Sequence, residues 1–230
     1  MEIRFFLPHL AYLEIDSMIF FPTLLISLLF HVKRHYKALL LSIIITAPIF
    51  LIWDFLATGI RSWSFNPKWV LGIYVIDLPI EEVLFFVVTP FATLLIYDFV
   101  QSKMKDHTLS SFSQRNMGIF ALVLLILGFF ASDHSYTFID LIYASLSIFL
   151  VELFDKDLFT SRNYWVFLLL TYIPFLIFDY FLTSLPVVIY GHNSILNIRV
   201  FTIPIEDFIY SFSMMNIYTL FYRRGMRIWI

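Results

Sequence analysis

The chain has 230 residues, 60% of them hydrophobic and only 14% charged, with a formal net charge of −2 and no cysteine. A soluble domain carries about 25% charged residues, so this one cannot cover its surface for water and must turn apolar faces to lipid. Without cysteine there are no disulfides, thiolate nucleophiles or zinc–thiolate sites, and the near-neutral balance gives nucleic acid nothing to bind. Crossing the hydrocarbon core takes about 20 mainly apolar residues, and the chain offers such stretches in sequence. The first is 10–30, which includes Glu14 and Asp16. Met1-Glu2-Ile3-Arg4 before it is no basic n-region, and no small-residue cleavage site follows Phe30, so the stretch reads as a retained helix. The second is 38–58, with Asp54 near its end and Pro48 as a mid-helix kink. After a loop bearing Trp63 and Phe65, the third, 78–100, opens on Pro79-Ile80-Glu81-Glu82. A short fourth, 116–131, precedes 136–154 and then 163–183, which carries Pro174 and Asp179. The last, 203–222, opens on Pro204-Ile205-Glu206-Asp207. Seven helices make an all-α, polytopic membrane protein.

Basic residues divide unevenly between the two sets of loops. Eleven of the 15 lysines and arginines lie on one side, and Arg4, Arg61, Lys68 and Arg199 lie on the other. The positive-inside bias makes the first side cytoplasmic, with the N-terminus outside and the C-terminus inside the cytoplasmic membrane.

A repeat of fixed period underlies these elements. Phe50-Leu51-Ile52-Trp53-Asp54-Phe55 recurs as Phe175-Leu176-Ile177-Phe178-Asp179-Tyr180, and Pro79-Ile80-Glu81-Glu82 recurs as Pro204-Ile205-Glu206-Asp207. Both recurrences are offset by 125 residues, and Tyr97 with Tyr222 continues the register. Hydrophobicity alone imitates an apolar run but does not hold two aspartates and two Pro-Ile-Glu motifs in one register. The chain divides into a first three-helix repeat (1–101), a connecting segment with a linker helix (102–132) and a second repeat (133–230). The linker helix makes the two repeats parallel, about an axis along the membrane normal. Parallel repeats place Asp54, Glu81, Glu82, Asp179, Glu206 and Asp207 in one layer, roughly 5–10 Å below the outer boundary at 1.5 Å per residue.

Six carboxyl groups in one intramembrane layer suggest proton chemistry. Each proline opens its helix where a missing N–H costs nothing, and Asp77 and Thr202 are of the type that caps helices. The helix dipole favours ionised acids in the first turn, whereas burial and like-charge crowding favour neutral ones. A coupled set can therefore hold a proton-bearing acid beside an ionised base. The bland alternative has these acids pair with arginine, Arg61 and Arg199 being the partners at hand, or hydrogen-bond a neighbouring helix. Trp53, Phe55, Trp63 and Phe65 supply ring faces able to stabilise a cation, or else fill the core. No dinucleotide or P-loop fingerprint is present, and no aspartate-rich run for a magnesium diphosphate. His31 and His35 read as an interfacial loop pair with no metal. The last lysine, Lys156, rules out a retinal Schiff base in the final span.

At its two motifs the chain resembles the lycopene cyclase domain family of the heterodimeric type, with both halves in one chain. Leu78-Pro79-Ile80-Glu81-Glu82-Val83-Leu84-Phe85-Phe86 is similar to the signature of one half, and Ile203-Pro204-Ile205-Glu206-Asp207-Phe208-Ile209-Tyr210 to that of the other. Trp63, Phe65, Asn66 and Pro67 are similar to the loop before the first motif, whereas the second loop has Val188 and Tyr190 at the positions of Trp63 and Phe65. The resemblance implies a flavin-independent cyclase without cofactor or metal. Its substrate would be lycopene or a related acyclic carotenoid, whose ψ ends become ionone rings, chiefly β-rings, by protonation, ring closure and proton loss with no net redox change. It implies catalytic roles for the six carboxyl groups and substrate contacts for Trp53, Trp63, Phe65, Phe85 and Tyr210. Membrane lipid and other enzymes of carotenoid biosynthesis are the further partners. A proton-coupled carrier with parallel three-helix repeats is the main alternative, and a structural subunit of a pigment-synthesis complex is the third.

Overall fold

The computed structural model describes residues 7–30 and 32–229. Arg4 and His31 lie outside the described residues, so the N-terminal arginine of the topology count and one member of the histidine pair have no structural counterpart here. Within the described residues are seven α-helices: α1 (Ala11–Leu29), α2 (Tyr36–Gly59), α3 (Ile80–Lys103), α4 (Gln114–Phe130), α5 (Ser135–Phe154), α6 (Arg162–Ser184) and α7 (Ile205–Trp229). Leucine, isoleucine and phenylalanine surround most of them on every face, which is the pattern of helices that meet lipid as well as one another. Five are long and apolar enough to cross a membrane: α1 with the turn before it, α2, α3, α5 and α6. α4 has 17 residues. α7 has 25 but carries Glu206 and Asp207 in its first turn and Arg227 in its last.

Prolines sit inside α1, α2, α3 and α6, at Pro22, Pro48, Pro90 and Pro174. Each removes one helix hydrogen bond, a loss that neighbouring helices in a membrane bundle make good. α2 packs along α7 and α3, α5 along α4 and α7, α1 along α3, and α6 along α3. α7 and α2 approach closely, and a Cβ on Gly225 would lie 2.8 Å from the Ala38 Cα. Glycine there lets two backbones meet, as small residues do between membrane helices.

Six short strands accompany the helices, which an all-helical reading does not anticipate. β1 (Trp63–Phe65) and β4 (Val188–Tyr190) form one antiparallel ribbon, β2 (Tyr74–Val75) and β3 (Leu78–Pro79) a second, and β5 (Arg199–Val200) and β6 (Ile203–Pro204) a third. Each has two or three residues, too few for alternation to be visible in sequence. In the first ribbon Ser64 stands opposite Ile189, its own counterpart at the 125-residue offset, with Trp63 opposite Tyr190 and Phe65 opposite Val188. This ribbon ties the two loops together at one end of the bundle, hereafter the ribbon end.

The other two ribbons are hairpins that lead straight into α3 and α7. Asp77 therefore lies in a hairpin turn and caps nothing: the residue before α3 is Pro79, and no side chain caps that helix. Instead the first amide of α3, Ile80, donates to the Ile73 carbonyl at 2.8 Å, and that of α7, Ile205, to the Ile198 carbonyl at 2.9 Å. Gly72 and Asn197 both take positive φ, 84° and 60°, as do Ile76 and Phe201 at 55° and 57°. These are two further pairs at the 125-residue offset. Asparagine tolerates that region, but a β-branched or aromatic residue is strained there.

At the opposite end each half holds an ion pair of its own, and tyrosines link the two halves. Arg34, in the loop before α2, lies 3.6 Å from Asp98 of α3 and donates to the Phe91 carbonyl at 2.8 Å, while Tyr222 of α7 donates to Asp98 at 2.8 Å. Asp155, in the loop before α6, accepts from Arg223 of α7 at 2.6 Å and Arg227 at 2.8 Å, and Arg223 also donates to Tyr97 of α3 at 3.1 Å. Asp98 and Arg223 hold equivalent places in the repeat with opposite sign, and each meets its complement in the loop before the second helix of its own repeat.

Candidate functional site

Behind the ribbon of β1 and β4 lies a cavity bounded by α1, α3, α6 and α7, with Asp54 as its one contribution from α2. Its wall is overwhelmingly apolar or aromatic, and it holds four carboxyl groups: Asp54, Glu82, Asp179 and Asp207. The ribbon roofs one end with Trp63, Phe65, Val188 and Tyr190, all of which face the cavity. Successive strand side chains alternate faces, so Ser64 and Ile189 face away.

The four acids form two dyads related by the repeat. Asp54 of α2 is in hydrogen-bond contact with Glu82 of α3, and Asp179 of α6 with Asp207 of α7. Two carboxyl groups make such a bond only with a proton between them. Tyrosines complete each dyad. Tyr12 of α1 donates to Glu82 at 2.6 Å, and Tyr210 of α7 to Asp54 at 3.1 Å. In the second dyad Tyr136 of α5 donates to Asp207 at 2.8 Å and Tyr190 of β4 at 2.6 Å. Asp179 Oδ2 receives no side-chain or backbone donor among the described residues. The second repeat has tyrosine at 190 and 210 where the first has Phe65 and Phe85. All four extra hydroxyl and phenyl positions line the same cavity.

Glu81 and Glu206 are placed differently. Both are wholly buried, yet neither lines the cavity. Glu81 accepts the Leu71 amide at 2.6 Å, and Glu206 accepts the equivalent Leu196 amide at 2.7 Å together with the Thr137 hydroxyl at 2.6 Å. Each holds the loop that carries the positive-φ residue Gly72 or Asn197. Of the aromatic candidates, Trp63, Phe65, Phe85 and Tyr210 face the cavity. Trp53 stands behind, edge-on to Trp63 with centroids 5.7 Å apart. Trp63 in turn meets Tyr136 at 4.9 Å.

Among the described residues no lysine or arginine lies within 4.0 Å of these six carboxyl groups, so the arginine-pairing branch of the structural alternative finds no partner there. Arg199 donates to the Thr202 carbonyl at 2.5 Å and sits 5.5 Å from the Tyr190 ring centroid. Arg61 is exposed in the turn after α2.

The sequence analysis above does not reach Tyr12, Tyr136 and Asp140, and gives Asp16 and Tyr190 no role in the site. A signal for four of them exists: Tyr12-x-x-Ile15-Asp16 recurs as Tyr136-x-x-Ile139-Asp140, offset by 124 residues instead of 125. Asp16 and Asp140 are buried behind the dyads, and neither oxygen of Asp16 has a hydrogen-bond partner among the described residues.

A family model described as lycopene cyclase matches this chain over residues 9–100 and again over 133–224. The two matched segments are equal in length and start 124 residues apart, so one family pattern fits each half. No curated protein and no solved structure matches the chain.

Proposed function

We propose, from the premise that this chain belongs to the lycopene cyclase family, that it closes the ψ ends of an acyclic carotenoid into ionone rings by acid catalysis. One observation carries this: two carboxyl dyads, Asp54–Glu82 and Asp179–Asp207, share the wall of an apolar cavity without a neutralising cation. The reaction needs a proton delivered to the terminal double bond, a negative or π-rich wall while the charge is on carbon, and a base to remove a proton after closure.

The hydrogen bonds suggest which acid does what. Asp207 accepts two tyrosine hydroxyls and Asp179 none, so the shared proton sits on Asp179 and the charge on Asp207. Glu82 has the shorter tyrosine bond in its dyad, which makes Asp54 the proton holder there. Asp179 or Asp54 then protonates the alkene carbon that leaves a tertiary cation. The inner double bond attacks that cation, and the charge moves to a ring carbon beside Trp63, Tyr136 and Tyr210, whose ring faces stabilise it. Loss of the adjacent ring proton to a carboxylate restores the dyad, so protons balance and no redox partner is consumed. Proton loss toward the conjugated chain gives the β-ring. A bilayer-soluble polyene reaches such a cavity sideways from lipid, and neighbouring enzymes of carotenoid biosynthesis are its natural suppliers. The basic asymmetry supports an external ribbon end in the cytoplasmic membrane.

Cells that make lycopene provide the test. A new cyclic carotenoid on expression of the chain is the expected result, and purified chain in lipid should form rings without added flavin or nicotinamide. In deuterated water the carbon protonated first should carry deuterium. Lycopene left acyclic, with the chain present in the membrane, would sink the proposal in favour of the carrier.

A further inference from the structure

The two repeats differ most beside the cavity. α2 packs against both α7 and α3, but α6 packs against α3 and makes no comparable contact with α7. Three rings fill the gap between α6 and α7. Phe208 lies 5.9 Å from Tyr172 and 4.9 Å from Phe175, and the Tyr172 hydroxyl donates to the Phe208 carbonyl at 3.0 Å. Their counterparts in the first repeat are Ala47, Phe50 and Val83, where the helices close directly and Phe50 is fully buried.

On the far side of these rings lies a second space. It runs between α4, α6 and α7 down to the loop before α4, and Phe112, Phe120, Trp165, Tyr172, Phe208 and Phe212 give it an aromatic lining. Its volume is about 540 Å³, against about 150 Å³ for the carboxyl cavity, so it is the roomier of the two spaces. α4, the helix outside the repeat, forms its outer wall, so the groove exists once. Phe175 lines the first space and Tyr172 and Phe208 line the second, so the triad stands between them.

We infer that this groove binds the polyene chain of the substrate beyond its reacting end, and that Tyr172, Phe175 and Phe208 gate the passage between groove and carboxyl cavity. This rests on the cyclase reading above. The occupant follows from continuity and reach. A carotenoid extends for about the thickness of the hydrocarbon core, about 30 Å, longer than the cavity wall on α3, which runs from Glu82 to Ile96, about 21 Å at 1.5 Å per residue. The groove continues from the carboxyl layer toward the opposite end of the bundle. A rigid conjugated chain gains from stacked ring faces without losing the rotamer entropy that a saturated acyl chain would lose on the same wall.

Purified full-length chain in lipid nanodiscs, given lycopene or an analogue keeping one ψ end on a chain short enough for the cavity alone, tests this. Leu124→Trp fills the groove from α4, and Ile209→Trp fills it from α7. Each is expected to lower kcat/KM for lycopene about tenfold more than for the short analogue, chiefly through KM, because a site that binds a remote part of the substrate acts on long substrates selectively. Tyr172→Ala, which removes the gate, should instead favour lycopene over the analogue relative to the parent. Equal losses on both substrates in the two filling variants, or no loss on either, would overturn the groove. A parent chain that cyclises neither substrate would instead remove the cyclase reading beneath it.

Discussion

The two ends of the bundle handle buried charge in opposite ways. At the ribbon end the repeat brings like groups together: Asp54 with Glu82, Asp179 with Asp207, bound only to each other and to tyrosines. At the opposite end the same repeat places unlike charges at equivalent positions, Asp98 and Arg223, and each finds its complement in the loop beside it. Burying acids without counter-charge is costly, whereas a buried pair roughly offsets its own desolvation. A duplicated chain that keeps the costly arrangement in both copies, and neutralises the other end, fits the proposed chemistry at the first and a clamp at the second.

The sharpest way to break that contrast is to remove protons from the ribbon end. Asp179→Asn and Asp207→Asn keep shape but cannot share a proton, and each should lower ring formation by at least about 100-fold, the low end for losing acid–base catalysis. Membrane protein level is measured alongside, and near-normal activity in both would return the dyads to a structural role. Glu81→Gln and Glu206→Gln should cost far less, because an amide oxygen still accepts from Leu71 or Leu196.

At the clamp end the loss should fall on stability. Arg34→Met leaves Asp98 buried without its cation, a change worth about 3–5 kcal/mol. The double variant Arg34→Met with Asp98→Leu removes both charges and should recover most of it. Denaturant melts in detergent compare the three chains, and a double variant no better than the single would argue against a complementary pair. Helix spacing comes next. Gly225→Leu forces α7 off Ala38, and overpacking of this kind costs roughly 1–3 kcal/mol. A melting temperature equal to the parent's would show that α2 and α7 are not held that closely.

The smallest effect expected is at Asp106, in the loop after α3 at the clamp end. Burial pushes its carboxyl up, but hydrogen bonds from the Ser161 hydroxyl and the Asn163 and His107 amides outweigh this and hold it below the usual carboxylate range. A lowered folded value means that its stabilisation is complete above about pH 4, the ordinary aspartate value. It is lost as pH falls through the folded value. Because Asp106 is largely exposed, the contribution is small. Asp106→Asn should slightly lower stability at neutral pH and flatten the acid limb of a stability–pH curve, the two chains converging at low pH; an unchanged acid limb would remove it from the clamp.

Much of this was visible in the chain as text. Composition alone requires a membrane bundle, because so few charges cannot face water. The 125-residue register of Asp54 with Asp179 and of the Pro-Ile-Glu motifs places the acids in one layer, because helix rise is constant. Charge and periodicity are written residue by residue, so they survive without coordinates. Which acid faces the cavity is another matter. Glu81 and Glu82 are neighbours, and neighbours on a helix point about 100° apart. Only the packing of α3 against α1 and α2 decides that Glu82 meets Asp54 and Tyr12 while Glu81 turns to the Leu71 amide. The same holds for Tyr190, brought to Asp207 by the pairing of β4 with β1, and for the gap beside α6 that its first-repeat counterpart lacks. A repeat in sequence predicts equal halves. Side-chain volume breaks the equality, since Tyr172 and Phe208 stand where Ala47 and Val83 let the helices close, and only a packed structure shows which helix moves aside.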